Sequence, residues 1–176
     1  MNTIIENLLT RRSTRAFLQK EIPDNELNEI LQAAIYAPSG MGKQTWKFTV
    51  LCNQEKIQQL AELIGRKLGR KGYDMYRPQV LIIPSNQKEN PHGMEDNACA
   101  LKNIFLAAHS FGIGSVWINQ LRTLCDDPEV RALLDEFEIP SDHVVYGMAA
   151  LGYPADAPKK EIHKIGEIRI IKIGRA

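Results

Sequence analysis

The chain has 176 residues, 44% hydrophobic and 24% charged, which suits one soluble domain with its own core. Lys and Arg number 22 against 21 Asp and Glu, so the formal net charge is +1, which argues against a nucleic-acid partner. No apolar run is long enough to span a membrane, and the N-terminus lacks the pattern of a secretory signal.

No repeat, low-complexity tract or linker divides the chain, so 1–176 reads as a single domain. Thr3-Ile4-Ile5-Glu6 has the capping-box pattern and opens a short helix with Ile4, Ile5, Leu8 and Leu9 on one face. Pro23 and Asp24 open a second helix, in which Leu27, Ile30, Leu31, Ala34 and Ile35 recur at helical spacing until Pro38. A strand over 46–52 follows, then a third helix capped by Asn53. Val80-Leu81-Ile82-Ile83 reads as a buried central strand ended by Pro84. The polar segment 84–94 reads as a loop. The strongest helix covers 95–111, stopped by Gly112. A short strand over 115–118, a helix opened by Asp127-Pro128, a strand over 144–151 and an alternating strand over 167–173 complete the chain. Without strict βαβ alternation, the fold class is α+β.

Several familiar sites are absent. Gly40-Met41-Gly42-Lys43-Gln44-Thr45 fails as a phosphate loop, because Ala37 replaces the first Gly and Gln44 the Ser or Thr. Gly112-Ile113-Gly114 leads to Trp117 where a dinucleotide fingerprint needs a third Gly. The four histidines lack zinc-site spacing, and no GxSxG occurs. Cys52, Cys99 and Cys125 are odd in number and widely spaced, which suits reduced thiols in a cytoplasm.

Four pieces remain. Arg11-Arg12-Ser13-Thr14-Arg15-Ala16-Phe17 gathers three guanidiniums and a hydroxyl, donors suited to phosphate oxygens; a solvated basic turn is the plainer reading. The small residues in Ala37-Pro38-Ser39-Gly40-Met41-Gly42-Lys43-Gln44-Thr45-Trp46-Lys47-Phe48 let backbone approach a ligand. Gly112 to Gln120 forms a glycine cap and a strand, and Ala149-Ala150-Leu151-Gly152-Tyr153-Pro154 a strand and a turn. Taken in order, these pieces resemble the FMN-dependent nitroreductase family. RRSTRAF is similar to that family's RRSxRxF, and APSGMGKQTWKF to its APSxxNxQPWxF. The central helix from Asp96, the strand through Ile118 and ALGYP follow at matching spacing, and the likeness extends from Ile4 to about Pro158.

The resemblance implies a mostly antiparallel sheet flanked by helices, in an intertwined homodimer with FMN at the subunit interface. It carries over Arg11, Arg12, Ser13 and Arg15 as FMN contacts, some for the phosphate and some for the pyrimidine edge. Pro38, Ser39, Gly40 and Gln44 match a segment supplied by the partner subunit. Trp117, Ile118 and Asn119 match the strand beside the flavin, with the Asn119 N–H toward N5. Arg169 is the candidate for a C-terminal phosphate ligand, with Lys164 and Lys172 as rivals. Gly42 and Thr45 depart from the family's Asn and Pro, and the 84–94 loop is expected to act as a partial lid over the flavin. The implied activity is ping-pong hydride transfer from NAD(P)H, a transient co-substrate, through FMN to a nitroaromatic, quinone or similar small-molecule acceptor. No protein side chain is named as an essential acid or base. The alternatives are flavin fragmentation or dehalogenation on the same scaffold, a non-catalytic FMN-binding protein, and an anion-binding patch without flavin.

Overall fold

The structure is a computed structural model that describes residues 2–156 and 165–171. Its helices are α1 (Thr3–Thr10), α2 (Asp24–Ile35), α3 (Gln54–Lys67), α4 (Gly93–Ser110) and α5 (Pro128–Glu136). Its strands are β1 (Trp46–Leu51), β2 (Val80–Gln87), β3 (Gly114–Ile118), β4 (His143–Val144) and β5 (Met148–Gly152). The sheet runs β1-β2-β5-β3, with β4 beside the end of β2, and every named pairing is antiparallel. This is the expected α+β architecture.

Two helical layers cover the sheet. Leu81 and Ile83 pack with α3 and α5 residues such as Leu60, Ile64, Val130 and Leu134. Val80 and Ile82 face the opposite way, among Ile30 and Ala34 of α2 and Leu101 and Ile104 of α4. Coverage on both faces explains why β2 starts with an unbroken apolar run.

Local signals set most boundaries. Asn53 and Asp127 cap α3 and α5 through their side chains, and Gly112, at φ 72°, follows the end of α4. Asn2 rather than Thr3 caps α1, its side chain accepting from Ile4 N, so the cap lies one residue before the expected box. No residue of α1 is buried. The helix is tied to α4 by polar contacts instead: Asn7 Nδ2 donates to Leu106 O at 2.9 Å, and Thr10 Oγ1 lies 2.9 Å from His109 Nε2.

Four expectations are corrected. Pro84 does not end β2, which continues to Gln87. Between Ile82 and Asn86 the strand is paired with β1 alone, so a missing N–H leaves no ladder bond broken on the other side. The 84–94 segment is therefore no lid: Pro84, Ser85, Asn86 and Asn90 are buried, and the connection to α4 spans only 88–92. The 144–151 strand is split in two at 145–147, where Gly147 admits the Trp117 ring; an added Cβ would lie 2.5 Å from its Nε1. Finally, 165–171 carries no strand. Its alternating isoleucines are exposed, and no described strand pairs with them. Positions 172 and 173 lie outside the described residues, as do Lys164 and Lys172.

No helix among the described residues is long and apolar enough to cross a membrane.

His143 on β4 is buried, with Nδ1 3.0 Å from Ser85 Oγ. Burial lowers its pKa, and Lys47 adds to this, while Asp142 opposes it. The unfolded chain therefore binds a proton that the folded chain resists. His143 adds to stability above about pH 6.5, and that contribution is lost as the pH falls toward the lowered folded value. Thermal midpoints measured from pH 7.5 to 5 should decline less steeply in His143→Asn than in wild type.

Candidate cofactor site

The basic turn leaves the end of α1 and runs beside β3. Thr14 N donates to Ser115 O at 2.9 Å, and Ser13 forms a parallel bridge with Ser115. Close contact is possible because position 114 is glycine: a Cβ there would lie 2.5 Å from Thr14 Oγ1 and 2.7 Å from Thr14 Cβ. Farther on, Phe17 bridges Pro154 and lies under Gly152. The start of the turn is thus pinned to β3 and its end to the strand-and-turn piece that closes the core.

The turn gathers positive charge with little compensation. Arg12 Nη1 donates to the carbonyls of Leu9 (2.6 Å) and Arg11 (3.0 Å). Among the described residues, Arg11 and Arg15 have no carboxylate partner. Partial burial, and then the Arg12 guanidinium, lower the Arg11 pKa from its ordinary value. His109, on the last turn of α4, is shifted down by burial and by the two arginines, so it tends to the neutral form. A partly desolvated guanidinium with no carboxylate partner among the described residues, as at Arg11, is a strong donor for an anionic group such as a phosphate.

β3 continues from this turn to Trp117, Ile118 and Asn119. Trp117 is half-exposed, and its ring lies 6.1 Å from Phe105, centroid to centroid. Ile118 is buried in the core. The Asn119 N–H, which the resemblance turns toward a flavin, here donates to Gln120 Oε1 at 3.0 Å. Tyr73 Oη donates to the same oxygen at 3.0 Å. Burial, above all, pushes the Tyr73 pKa up to about 12, so the hydroxyl keeps its proton at neutral pH. Tyr73 also lines a cavity of about 550 Å³ at the end of α3, together with Arg66, Arg70 and Lys71. The sequence assigns no role to the side chains of Gln120 or Tyr73. Neither has a signal at the level of spacing, because both act through contacts far from each other in sequence.

The second half of the predicted site is elsewhere. Ser39, Gly40 and Gln44 belong to a loop that begins after the exposed Pro38 and includes a single 3-10 turn over Gly40–Gly42. Met41 and Gln44 have φ of 55° and 49°, in the left-handed region, and Gly42 has φ 64°. The loop is fastened to the first turn of α4. Gly40 N donates to Asp96 Oδ1 at 2.7 Å, Ser39 Oγ to Asp96 Oδ2 at 3.1 Å, and Gln44 N to Ser39 Oγ at 2.9 Å. Thr45, where the family often has Pro, donates its hydroxyl to Asn86 Oδ1 (2.7 Å) and accepts from Asn90 Nδ2 (2.9 Å). A proline could make neither bond. Asn86, Asn90 and Asp96 therefore form a buried polar layer that the sequence pass treated as loop or ordinary helix.

These two halves lie at opposite ends of one helix. Asp96 holds the loop near the start of α4, and His109 meets α1 near its end. The 13 intervening steps correspond to roughly 20 Å along the helix. One chain therefore brings Arg11, Arg12, Ser13 and Arg15 to the β3 strand, but not to Ser39, Gly40 or Gln44. Arg169 is exposed in the 165–171 segment, and no described contact joins it to the turn.

Comparisons with known proteins place this arrangement. The Nitroreductase family model matches residues 8–79 and 67–153. A crystal structure of a nitroreductase with bound FMN from Bacteroides fragilis is 43% identical. It aligns over 98% of this chain and all of its own with a TM-score of 0.92. A candidate NADH dehydrogenase/NAD(P)H nitroreductase from Archaeoglobus fulgidus is 31% identical over 89% of this chain and 88% of its own length. A candidate of the same description from Methanothermobacter thermautotrophicus is 30% identical, over 88% of this chain and 79% of its own. The chain belongs to the nitroreductase family.

The packing at Gly114 and the bonds at Thr45 each give a stability test. Gly114→Ala places a methyl group against Thr14 and should destabilise the protein by about 1–3 kcal/mol. Thr45→Val removes both hydroxyl contacts at once and should cost about 1–3 kcal/mol. Urea denaturation, fitted with a common m-value, measures both.

Proposed function

We propose that this chain is an FMN-dependent NAD(P)H oxidoreductase acting on a nitroaromatic, quinone or similar small-molecule acceptor. The observation that carries the proposal is that Arg11 and Arg15, which have no carboxylate partner among the described residues, lie in a turn pinned by Thr14 to the strand leading to Trp117. Such a site has the donors for a phosphate at one end and, at Trp117–Asn119, a half-exposed aromatic and a polar strand end for a flat ring system. Bound FMN supplies the ability to take hydride from NAD(P)H and pass it to the second substrate at the same place, a ping-pong exchange.

The chain's own residues bind and orient. Arg11, Arg12, Ser13 and Arg15 hold the phosphate and the polar edge of the flavin, and Arg169 is proposed as a further phosphate ligand. Trp117, Ile118 and Asn119 line its long side. No protein group is assigned as an essential acid or base. A single domain carries these parts, and the free thiols Cys52, Cys99 and Cys125 suit a cytoplasmic location.

The working form is a homodimer. Pro38, Ser39, Gly40 and Gln44 sit too far from the basic turn of their own chain to share its ligand, so they serve the flavin of the other protomer. Exposed apolar side chains support this association. They include Ile4, Leu9 and Ile35, together with Tyr36 and Met41, which are 83% and 82% exposed. Sedimentation equilibrium should give about twice the 19.9 kDa chain mass.

Purified protein given FMN should absorb near 375 and 450 nm, at about the positions of oxidised flavin, and bleach under anaerobic NADH or NADPH. The faster donor gives the co-substrate preference. Protein that takes up FMN but is not bleached would leave a binding role only, and protein that takes up none would overturn the reading. Arg11→Ala and Arg15→Ala should each weaken FMN binding about ten- to a hundredfold, through loss of a charged hydrogen bond. Their thermal midpoints should stay near wild type, because neither side chain supports the core.

A further inference from the structure

Asp96 is 2% exposed, and no described cation pairs with it. Burying a carboxylate without a cation is costly unless its oxygens are fully used. Here they are used. Oδ1 accepts from Gly40 N, and Oδ2 accepts from Ser39 Oγ and from Asn90 Nδ2 at 3.2 Å. Its place in the first turn of α4 adds the favourable end of the helix dipole. Two of the three donors belong to the loop that carries the second half of the site. The third, Asn90, reaches the same loop's end through Thr45.

The backbone of that loop is strained, and its own hydrogen bonds are few. Met41 and Gln44 occupy left-handed conformations that cost energy for side chains other than glycine. Inside the loop, Gly42 N donates to Ser39 O at 2.9 Å and Lys43 N to Gly40 O at 3.3 Å. The strained shape therefore needs an outside anchor, and the anchor must accept hydrogen bonds on two atoms. A carboxylate does so, whereas an asparagine presents one acceptor and one donor. In any orientation, the asparagine would set its NH2 against either the Gly40 N–H or the Asn90 NH2.

We propose that Asp96 is a positioning residue for cofactor binding: its carboxylate fixes the Ser39–Gln44 loop in the conformation that closes the flavin site of the other protomer. This proposal rests on the reading of the protein as an FMN-dependent dimer. Asp96 touches no reacting atom. It acts through Gly40 and Ser39.

The test compares wild type with Asp96→Asn, Ser39→Ala and Leu134→Ala. The last is a cavity control in the α3/α5 layer, on the opposite face of the sheet. Amide hydrogen exchange is followed over 38–45 in the cofactor-free protein, and FMN affinity by quenching of free-flavin fluorescence. In Asp96→Asn the loop amides should exchange at least tenfold faster, and FMN should bind at least tenfold more weakly. Ser39→Ala should move both in the same direction by a smaller factor, and carries the test if Asp96→Asn does not fold. Leu134→Ala should lower the thermal midpoint and leave both readouts at wild type. The proposal is overturned if folded Asp96→Asn keeps wild-type exchange and affinity, or if Leu134→Ala changes them as much. Wild-type protein that binds no FMN overturns the functional reading itself. In that case, faster loop exchange in Asp96→Asn would still establish the anchor but leave it without a cofactor role.

Discussion

Helix α4 is the fixed length on which the arrangement depends. Its 18 residues make a rod of about 27 Å, with the sheet on one side and α2 packed along it. The first turn carries Asp96 and, through it, the small-residue loop. The last turn carries His109 and, through Thr10, the helix that delivers the basic turn. A buried helix neither bends nor shortens at moderate cost, so one chain cannot bring its own two half-sites together. A twofold axis can, because it places the start of one α4 near the end of the other. In the proposed dimer, association would follow from helix length and from which residues stand at the two ends.

The fold protects the two half-sites by different means. The basic turn is held by backbone pairing to β3 and by glycines that let side chains come close. Among the described residues, its Arg11 and Arg15 have no carboxylate partner. The loop is held by side chains: the buried Asp96, Asn90 and Asn86 share hydrogen bonds with one another and with the partly buried Thr45. Buried polar layers are costly when incomplete and specific when satisfied. Asn86 Nδ2 and Asn97 Oδ1 lack partners among the described residues, so the layer is not fully used.

The parts of the structure visible in sequence were those encoded by short-range chemistry. Asn53 and Asp127 declared their helices because a cap bonds within three residues. The β2 core was visible because both its faces are covered. The hidden parts depend on distant partners. Pro84 looked like a strand end because its tolerance depends on where β5 stops. Gly147 looked like ordinary strand because its reason is the Trp117 ring. The isoleucines at 168, 170 and 171 alternate as a strand does, yet nothing among the described residues pairs with them. For the site, RRSTR and the glycine-rich loop were legible as residue types in order, and the resemblance supplied their expected roles. Neither could show that Asp96 anchors the loop, because a lone Asp near a helix start is common for reasons of capping alone.

Subunit mixing tests the divided site most directly. Arg11→Ala removes the basic half, and Gln44→Ala alters the loop half. Each variant is co-expressed with the other under different affinity tags, and mixed dimers are isolated by tandem purification. If the halves come from different chains, one site in each mixed dimer is doubly altered and the other is wild type. Titration should then show one FMN bound per mixed dimer with wild-type affinity, although neither parent variant binds so well. If the mixed dimer binds FMN no better than its parents, both halves belong to one chain, and the division of the site across α4 is wrong.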